Sequence, residues 1–198
     1  MIDPTAITQF TNFEIIIGSN NDYLGDVIDA RTADRGYEID ANDGDDTVYG
    51  SAYSDTFIDG DGDDTIYGMG GDDTFIQRRG EDTFDGGEGT DTVISNWSSA
   101  LPDDWTEEDF YVINLQDGFA YKFGMPPSSV DDIFISIENY YQTGKNGGAQ
   151  MLIGSDANNV LSTNLGNDVI DGGAGNDRLY GNEGDDILKT GAGDDKLY

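Results

Sequence analysis

The chain has 198 residues, with 41 acidic and 9 basic side chains and a formal net charge of −32. Such a polyanion does not bind nucleic acid or an anionic membrane through its own field. With no cysteine and no histidine, it holds no disulfide, no Ser-His or Cys-His pair and no His-ligated zinc.

Residues 1–40 read as short apolar strands between turns. Asn12–Ser19, Asp26–Ala30 and Gly36–Asp40 are the strand segments. They resemble degenerate turns of the repeat that begins at Ala41. From there a nine-residue period runs to Ile94: ANDGDDTVY, GSAYSDTFI, DGDGDDTIY, GMGGDDTFI, QRRGEDTFD, GGEGTDTVI. Residues 95–153 break the period. An acid-started turn is expected at 102–108 and a hairpin over 110–123, turning at Gln116-Asp117-Gly118. Pro126-Pro127 breaks the chain, and 130–141 returns to strand. Trp97, Trp105, Phe119, Tyr121, Tyr140 and Tyr141 make this part aromatic. The period resumes over 154–198: GSDANNVLS, TNLGNDVID, GGAGNDRLY, GNEGDDILK, TGAGDDKLY. The chain thus divides into degenerate turns (1–40), a first repeat block (41–94), a β-rich insert (95–153) and a second block (154–198).

Two positions of the repeat are nearly fixed. The sixth is Asp in every unit but one, where Asn159 stands. The eighth is Val, Ile, Leu or Phe in all eleven. The fourth is Gly except at Tyr53 and Ala157. Positions one to six are Gly- and Asp-rich and turn the chain. Positions seven to nine form a very short strand. Only the eighth side chain is expected to point inward. A six-residue turn reverses the chain, so unit n stacks on unit n+2 as a parallel strand about 4.8 Å away. Sixth-position carboxylates then lie at that spacing and repel by roughly 1–3.5 kcal/mol. A hard cation reverses that sign. Calcium suits the oxygen-rich turns, because it takes six to eight oxygens in flexible geometry. Asp45, Asp63, Asp72, Asp185 and Asp194, at the fifth position, are expected to be outward and solvated.

These units resemble the RTX, or hemolysin-type, calcium-binding nonapeptide G-G-x-G-x-D-x-U-x, U being a large apolar residue. Residues 86–93 and 172–179 match it throughout. The resemblance implies an all-β, right-handed parallel β-roll with calcium between turns n and n+2. In that family the first turn gives the carbonyls of its second and fourth residues and its sixth-position Asp. The second turn gives the carbonyls of its first and third residues and its own Asp. Carried over, this implies about seven calcium ions, four in the first block and three in the second. In the first block Asn42, Gly44 and Asp46 pair with Asp59, Asp61 and Asp64. Asp55 pairs with Gly68, Gly70 and Asp73. Gly60, Gly62 and Asp64 pair with Gln77, Arg79 and Asp82, and Met69, Gly71 and Asp73 with Gly86, Glu88 and Asp91. In the second block Asn159 pairs with Gly172, Ala174 and Asp177. Asn164, Gly166 and Asp168 pair with Gly181, Glu183 and Asp186, and Gly173, Gly175 and Asp177 with Thr190, Ala192 and Asp195. Tyr53 and Asn159 depart from the pattern, so sites using their turns should be weaker or absent.

The resemblance further implies a secreted or cell-surface protein of a Gram-negative bacterium, exported by a type I system. The last repeat ends at Tyr198 without a polar cap, and solenoids need capped ends. The chain is therefore expected to be a piece of a larger secreted protein. Its expected role is a calcium-dependent folding module, monomeric and not an enzyme, with no nucleic-acid or membrane partner. The alternative is an adhesin or carbohydrate-binding module working through the aromatic insert. Three sharper readings compete with blander ones. The Thr at position seven of the first block forms either a binding ladder or good strand surface. Glu107, Glu108 and Glu138 are either a glycosidase pair or solvated acids. Arg78 and Arg79 either meet a partner or neutralise local charge.

Overall fold

The computed structural model describes residues 8–9, 15–19, 25–96, 111–122, 132–143 and 148–198. It is all-β among these residues, and no helix there is long and apolar enough to cross a membrane. The chain divides into two compact units.

The first unit holds residues 1–93 and 134–137. Its strands are β1 (Thr8–Gln9), β2 (Ile15–Ile17), β3 (Val27–Asp29), β4 (Glu38–Asp40), β5 (Thr47–Tyr49), β6 (Thr56–Ile58), β7 (Thr65–Tyr67), β8 (Thr74–Gln77), β9 (Thr83–Asp85) and the start of β10 (Thr92–Ser95). Odd strands pair in the order β1-β3-β5-β7-β9, and even strands in the order β2-β4-β6-β8-β10. The pairing of repeats is parallel and joins residues eighteen apart, Val48 to Ile66 and Phe57 to Phe75. Unit n therefore stacks on n+2, as the turn length requires.

Stacking at strand spacing brings like side chains together. Phe57 and Phe75 stack at 5.1 Å within one sheet. Phe75 meets Phe84 of the other sheet at 5.3 Å, so the two sheets share one apolar column. Phe134 continues it, stacking on Phe84 at 6.1 Å. Outside, Tyr49 lies on Tyr67 at 5.0 Å, and Arg31 covers the Tyr49 ring at 4.5 Å. Threonines 47, 65 and 83 fall in register along the outer face.

The second unit holds residues 94–133 and 138–198. β11 (Tyr111–Asn114) and β12 (Phe119–Lys122) form an antiparallel hairpin. The Asp-Gly turn closes it: Asn114 Oδ1 accepts from the Asp117 N–H at 2.9 Å, and Gly118 takes a φ of 76°. The first residues of β13 (Asp132–Ile135) pair antiparallel with β12. After β14 (Asn139–Gln142) and β15 (Gln150–Ile153) the repeats resume as β16 (Val160–Ser162), β17 (Val169–Asp171), β18 (Arg178–Tyr180), β19 (Ile187–Lys189) and β20 (Lys196–Leu197). They stack in parallel as β11-β15-β17-β19 and β14-β16-β18-β20. Each unit is thus a parallel β-solenoid, or β-roll, and the hairpin is the exception to its parallel rule.

One expectation needs correction. The eighth residue is not the only inward one. Positions one and six are also buried, as at Asp59, Asp64 and Gln77. Strand alternation carries on past the three hydrogen-bonded residues, so positions six, eight and one of the next unit share a face. Phe75→Ala would open the aromatic column and should cost about 3–5 kcal/mol, read by urea unfolding at saturating calcium. A loss under about 1 kcal/mol would mean that the column collapses freely and is not the core.

Candidate metal centre

The sixth-position aspartates are interior groups. Asp46, Asp55, Asp64, Asp73, Asp82, Asp91, Asp168 and Asp177 are all buried. Each sends one oxygen along the stack. Oδ1 of Asp64 accepts from the Asp46 N–H at 2.8 Å, Asp73 from Asp55 at 2.7 Å, Asp82 from Asp64 at 3.0 Å and Asp91 from Asp73 at 2.8 Å. The second block repeats this at 2.9 Å from Asn159 to Asp177, Asp168 to Asp186 and Asp177 to Asp195. The degenerate turns join in, since Tyr37 N–H donates to Asp55 at 2.6 Å. This ladder did not show in the repeat itself, because its donors are backbone groups. The period-two alternation through positions six and eight was the available signal.

The other oxygen is left over. Oδ2 of Asp46, Asp64, Asp73, Asp168 and Asp177 is buried and receives no hydrogen bond. A buried carboxylate oxygen without a partner is costly. Burial is the main cause that pushes these acids up, to about 7 at Asp46, Asp73 and Asp82, about 9 at Asp64 and about 6 at Asp168. The ladder bond pulls each back, and neighbouring carboxylates push up again: Asp82, Asp59 and Asp46 act on Asp64. A divalent cation relieves both the missing partner and the repulsion, so the donor set fits a hard metal ion.

The turns supply further oxygens. Gly44 N–H donates to Asp61 O at 2.9 Å, Gly71 to Glu88 O at 2.8 Å, Gly166 to Glu183 O at 3.0 Å and Gly175 to Ala192 O at 2.9 Å. Met69 O and Gly173 O accept in the reverse sense from Glu88 and Ala192. These carbonyls of positions two and three thus each hold one bond between turns and keep a second lone pair. Left-handed backbone turns them. Asn42, Gly60, Met69, Gly87 and Gly173 at position two have positive φ, as do Gly44, Gly62, Gly71 and Gly175 at position four. The paired turns therefore lie side by side as their spacing requires. Asp186, Thr190 and Asp195 are half-buried, and Glu183 and Ala192 exposed.

Two turns differ. Asp55 has both oxygens occupied, by the N–H groups of Tyr37 and Ser51 at 2.6 Å. Asn159 presents an amide where the others present an acid: Nδ2 donates to Glu138 O at 2.6 Å and Oδ1 accepts from the Ser155 N–H at 2.8 Å. In both, a serine at position two folds back on the turn: Ser51 Oγ accepts from Tyr53 N–H, and Ser155 Oγ from Ala157 N–H. Tyr53 and Ala157 show no positive φ.

The fifth-position acids are exposed, but solvation is not their whole role. Asp45 Oδ1 accepts from the Asp63 N–H at 3.0 Å, Asp63 from Glu81 at 2.9 Å and Asp72 from Thr90 at 3.0 Å. Asn158, Asn167 and Asn176 do the same in the second block. The arginine at 78 donates its backbone N–H to Asp59 Oδ2 at 3.0 Å. Among the aromatics of the insert, Tyr140 is buried and cannot serve a sugar platform. Phe119 and Tyr121 pack on each other at 5.6 Å. Trp97, Trp105, Glu107, Glu108, the turn at 102–108 and Pro126-Pro127 lie outside the described residues.

The titration of these acids predicts a reversal. Folding raises their pKa above the ordinary 3.8. In chelator the folded chain therefore holds extra protons from about pH 4 up to about pH 7, and to about pH 9 at Asp64. That contribution is complete below pH 4 and is lost as the pH rises through 7. β structure in chelator should thus grow on acidification, followed by far-UV circular dichroism. Calcium affinity should move the opposite way, weakening below pH 7 as protons compete for the same oxygens. A β signal flat from pH 4 to 8 in chelator would contradict the burial of these groups.

The model of the RTX calcium-binding nonapeptide repeat matches residues 39–75, 78–97, 146–179, 153–188 and 171–198. No curated protein matches the chain. The matched segments cover more than half of the sequence and include every buried acid of the ladder. With its nonapeptide period and its buried, laddered aspartates, the chain belongs to the RTX calcium-binding repeat family.

Proposed function

We propose that this calcium-binding β-roll is a folding switch that works outside the cell. The supporting observation is the set of buried Oδ2 atoms without a hydrogen bond. Calcium would take these oxygens together with the turn carbonyls. Asp46 and Asp64, Asp64 and Asp82, Asp73 and Asp91, Asp168 and Asp186, and Asp177 and Asp195 form the pairs with the fullest donor sets. The pairs that use Asp55 or Asn159 are weak, because Tyr53 and Ala157 lack the positive φ that turns the fourth carbonyl and Asn159 carries no charge.

Without calcium the net charge of −32 opposes compaction. In a calcium-poor cytosol the chain would stay extended and fit for export. Extracellular modules of this ligand type bind at about 10⁻⁴–10⁻³ M, close to the free calcium outside a cell. Binding there becomes folding free energy. The module would then order, and help to fold, a larger secreted protein of which it is part.

A calcium titration followed by far-UV circular dichroism tests this, with magnesium as control. The expected result is a cooperative coil-to-β transition in calcium and none in magnesium. Full β structure in chelator at neutral pH would refute the switch. Sharing of ligands adds a finer expectation. Asp64→Ala removes the common ligand of two layers, so it should raise the calcium midpoint more than Asp91→Ala, which removes one. Equal midpoints for the two variants would disprove the pairing.

A further inference from the structure

The turn at 59–64 is built unlike its neighbours. Six of the eleven repeats begin with glycine. The reason is steric: a Cβ at Gly68 or Gly172 would overlap Oδ2 of Asp73 or Asp177, the sixth residue of the same turn. At 59 a side chain stands in that place, and it is a carboxylate only 1% exposed. Backbone donors fix it, and a carboxylate oxygen that takes one N–H keeps a lone pair for a cation. Asp59 Oδ1 accepts from the Gly60 N–H at 2.6 Å, and Oδ2 accepts from the Arg78 N–H at 3.0 Å. Arg78 occupies the second position, where Asn42, Gly60 and Met69 have positive φ, but has none itself. Its amide is thus available to Asp59.

One carboxylate oxygen from each of Asp59, Asp64 and Asp82 lies within 4.8 Å of the other two. Three oxygens no farther apart than that surround a centre at most about 2.8 Å from each, the limit divided by √3. That limit spans the 2.3–2.6 Å calcium prefers. Acid clustering alone would not make a site. A second observation does: Asp64 is 1% exposed and its Oδ2 receives no hydrogen bond. The next first-position side chain on that edge, Gln77, is equally buried, and its Oε1 meets no donor.

The geometry points to a calcium site in which Asp59 binds through its side chain, beside Asp64 and Asp82, as the most acidic and tightest site of the roll. It rests on the calcium-binding reading of the roll and adds to it. The family pattern uses only the carbonyl of the first residue; here a third carboxylate enters. Affinity in oxygen sites rises with the count of charged ligands. This site therefore fills first and seeds the first block.

Calorimetric calcium titration of the full 198-residue chain tests the assignment. In the unsubstituted chain one calcium should bind ahead of the rest. Asp59→Gly restores the residue common at this position, and Asp59→Asn keeps the size. Both should weaken that first event by about tenfold or more, while reaching the same β signal at saturating calcium. Asp63→Asn is the control. It removes the same charge from the exposed side of the same turn. It keeps an acceptor for the Glu81 N–H, as Asn167 and Asn176 do at their positions. It should leave the first event in place. An Asp59→Gly isotherm that superimposes on the unsubstituted one overturns the assignment, as does equal weakening by Asp63→Asn. If the unsubstituted chain takes up no calcium at all, the reading of the whole roll falls with it.

Discussion

The bond from a backbone N–H to an aspartate Oδ1 eighteen residues later sets the spacing of this roll. It ties the sixth residue of each turn to the sixth of the turn stacked on it, at 2.7–3.0 Å in the first block. A strand of three residues offers little pairing of its own. The side-chain ladder continues the hydrogen-bonding beyond the strand and into the turn. It also holds a carboxylate inside the fold, which a protein of this size rarely tolerates without a counter-charge. The same bond that builds the stack thereby creates the demand for a cation.

That division of labour is absent at Asn159. Its amide oxygen takes the Ser155 N–H of its own turn and its amide nitrogen reaches back to the Glu138 carbonyl, so neither atom is left over. Asp55 reaches a similar end by another route, with a backbone N–H on each oxygen.

Much of this was legible in the residues. The period of nine, the apolar eighth position and the reversal of the chain at each turn lead directly to the pairing of n with n+2, which the registers show. The Asp117-Gly118 pair marked the hairpin. The inward aspartates were harder to see, because charge argues for the surface and only strand alternation argues against it. The ladders of positions five and six use backbone donors, which no residue code displays. The cluster around Asp59 was hidden for a similar reason: in the repeat Asp59 reads as a replaced glycine, and Asp82 joins Asp59 and Asp64 only after stacking. β13 read as strand in the residues, but its antiparallel pairing with β12 left no local mark.

The two ladders run in opposite senses. At position six the side chain of the later turn accepts from the earlier one; at position five the side chain of the earlier turn accepts from the later. A stack cut between any two layers therefore exposes two unlike but matching faces. One offers sixth-position amides and fifth-position side-chain acceptors, and the other offers their counterparts. Such faces fit each other and not themselves. The repeat thus carries a polarity that lets segments be added, removed or exchanged in one orientation only, which suits a sequence that grows by duplication.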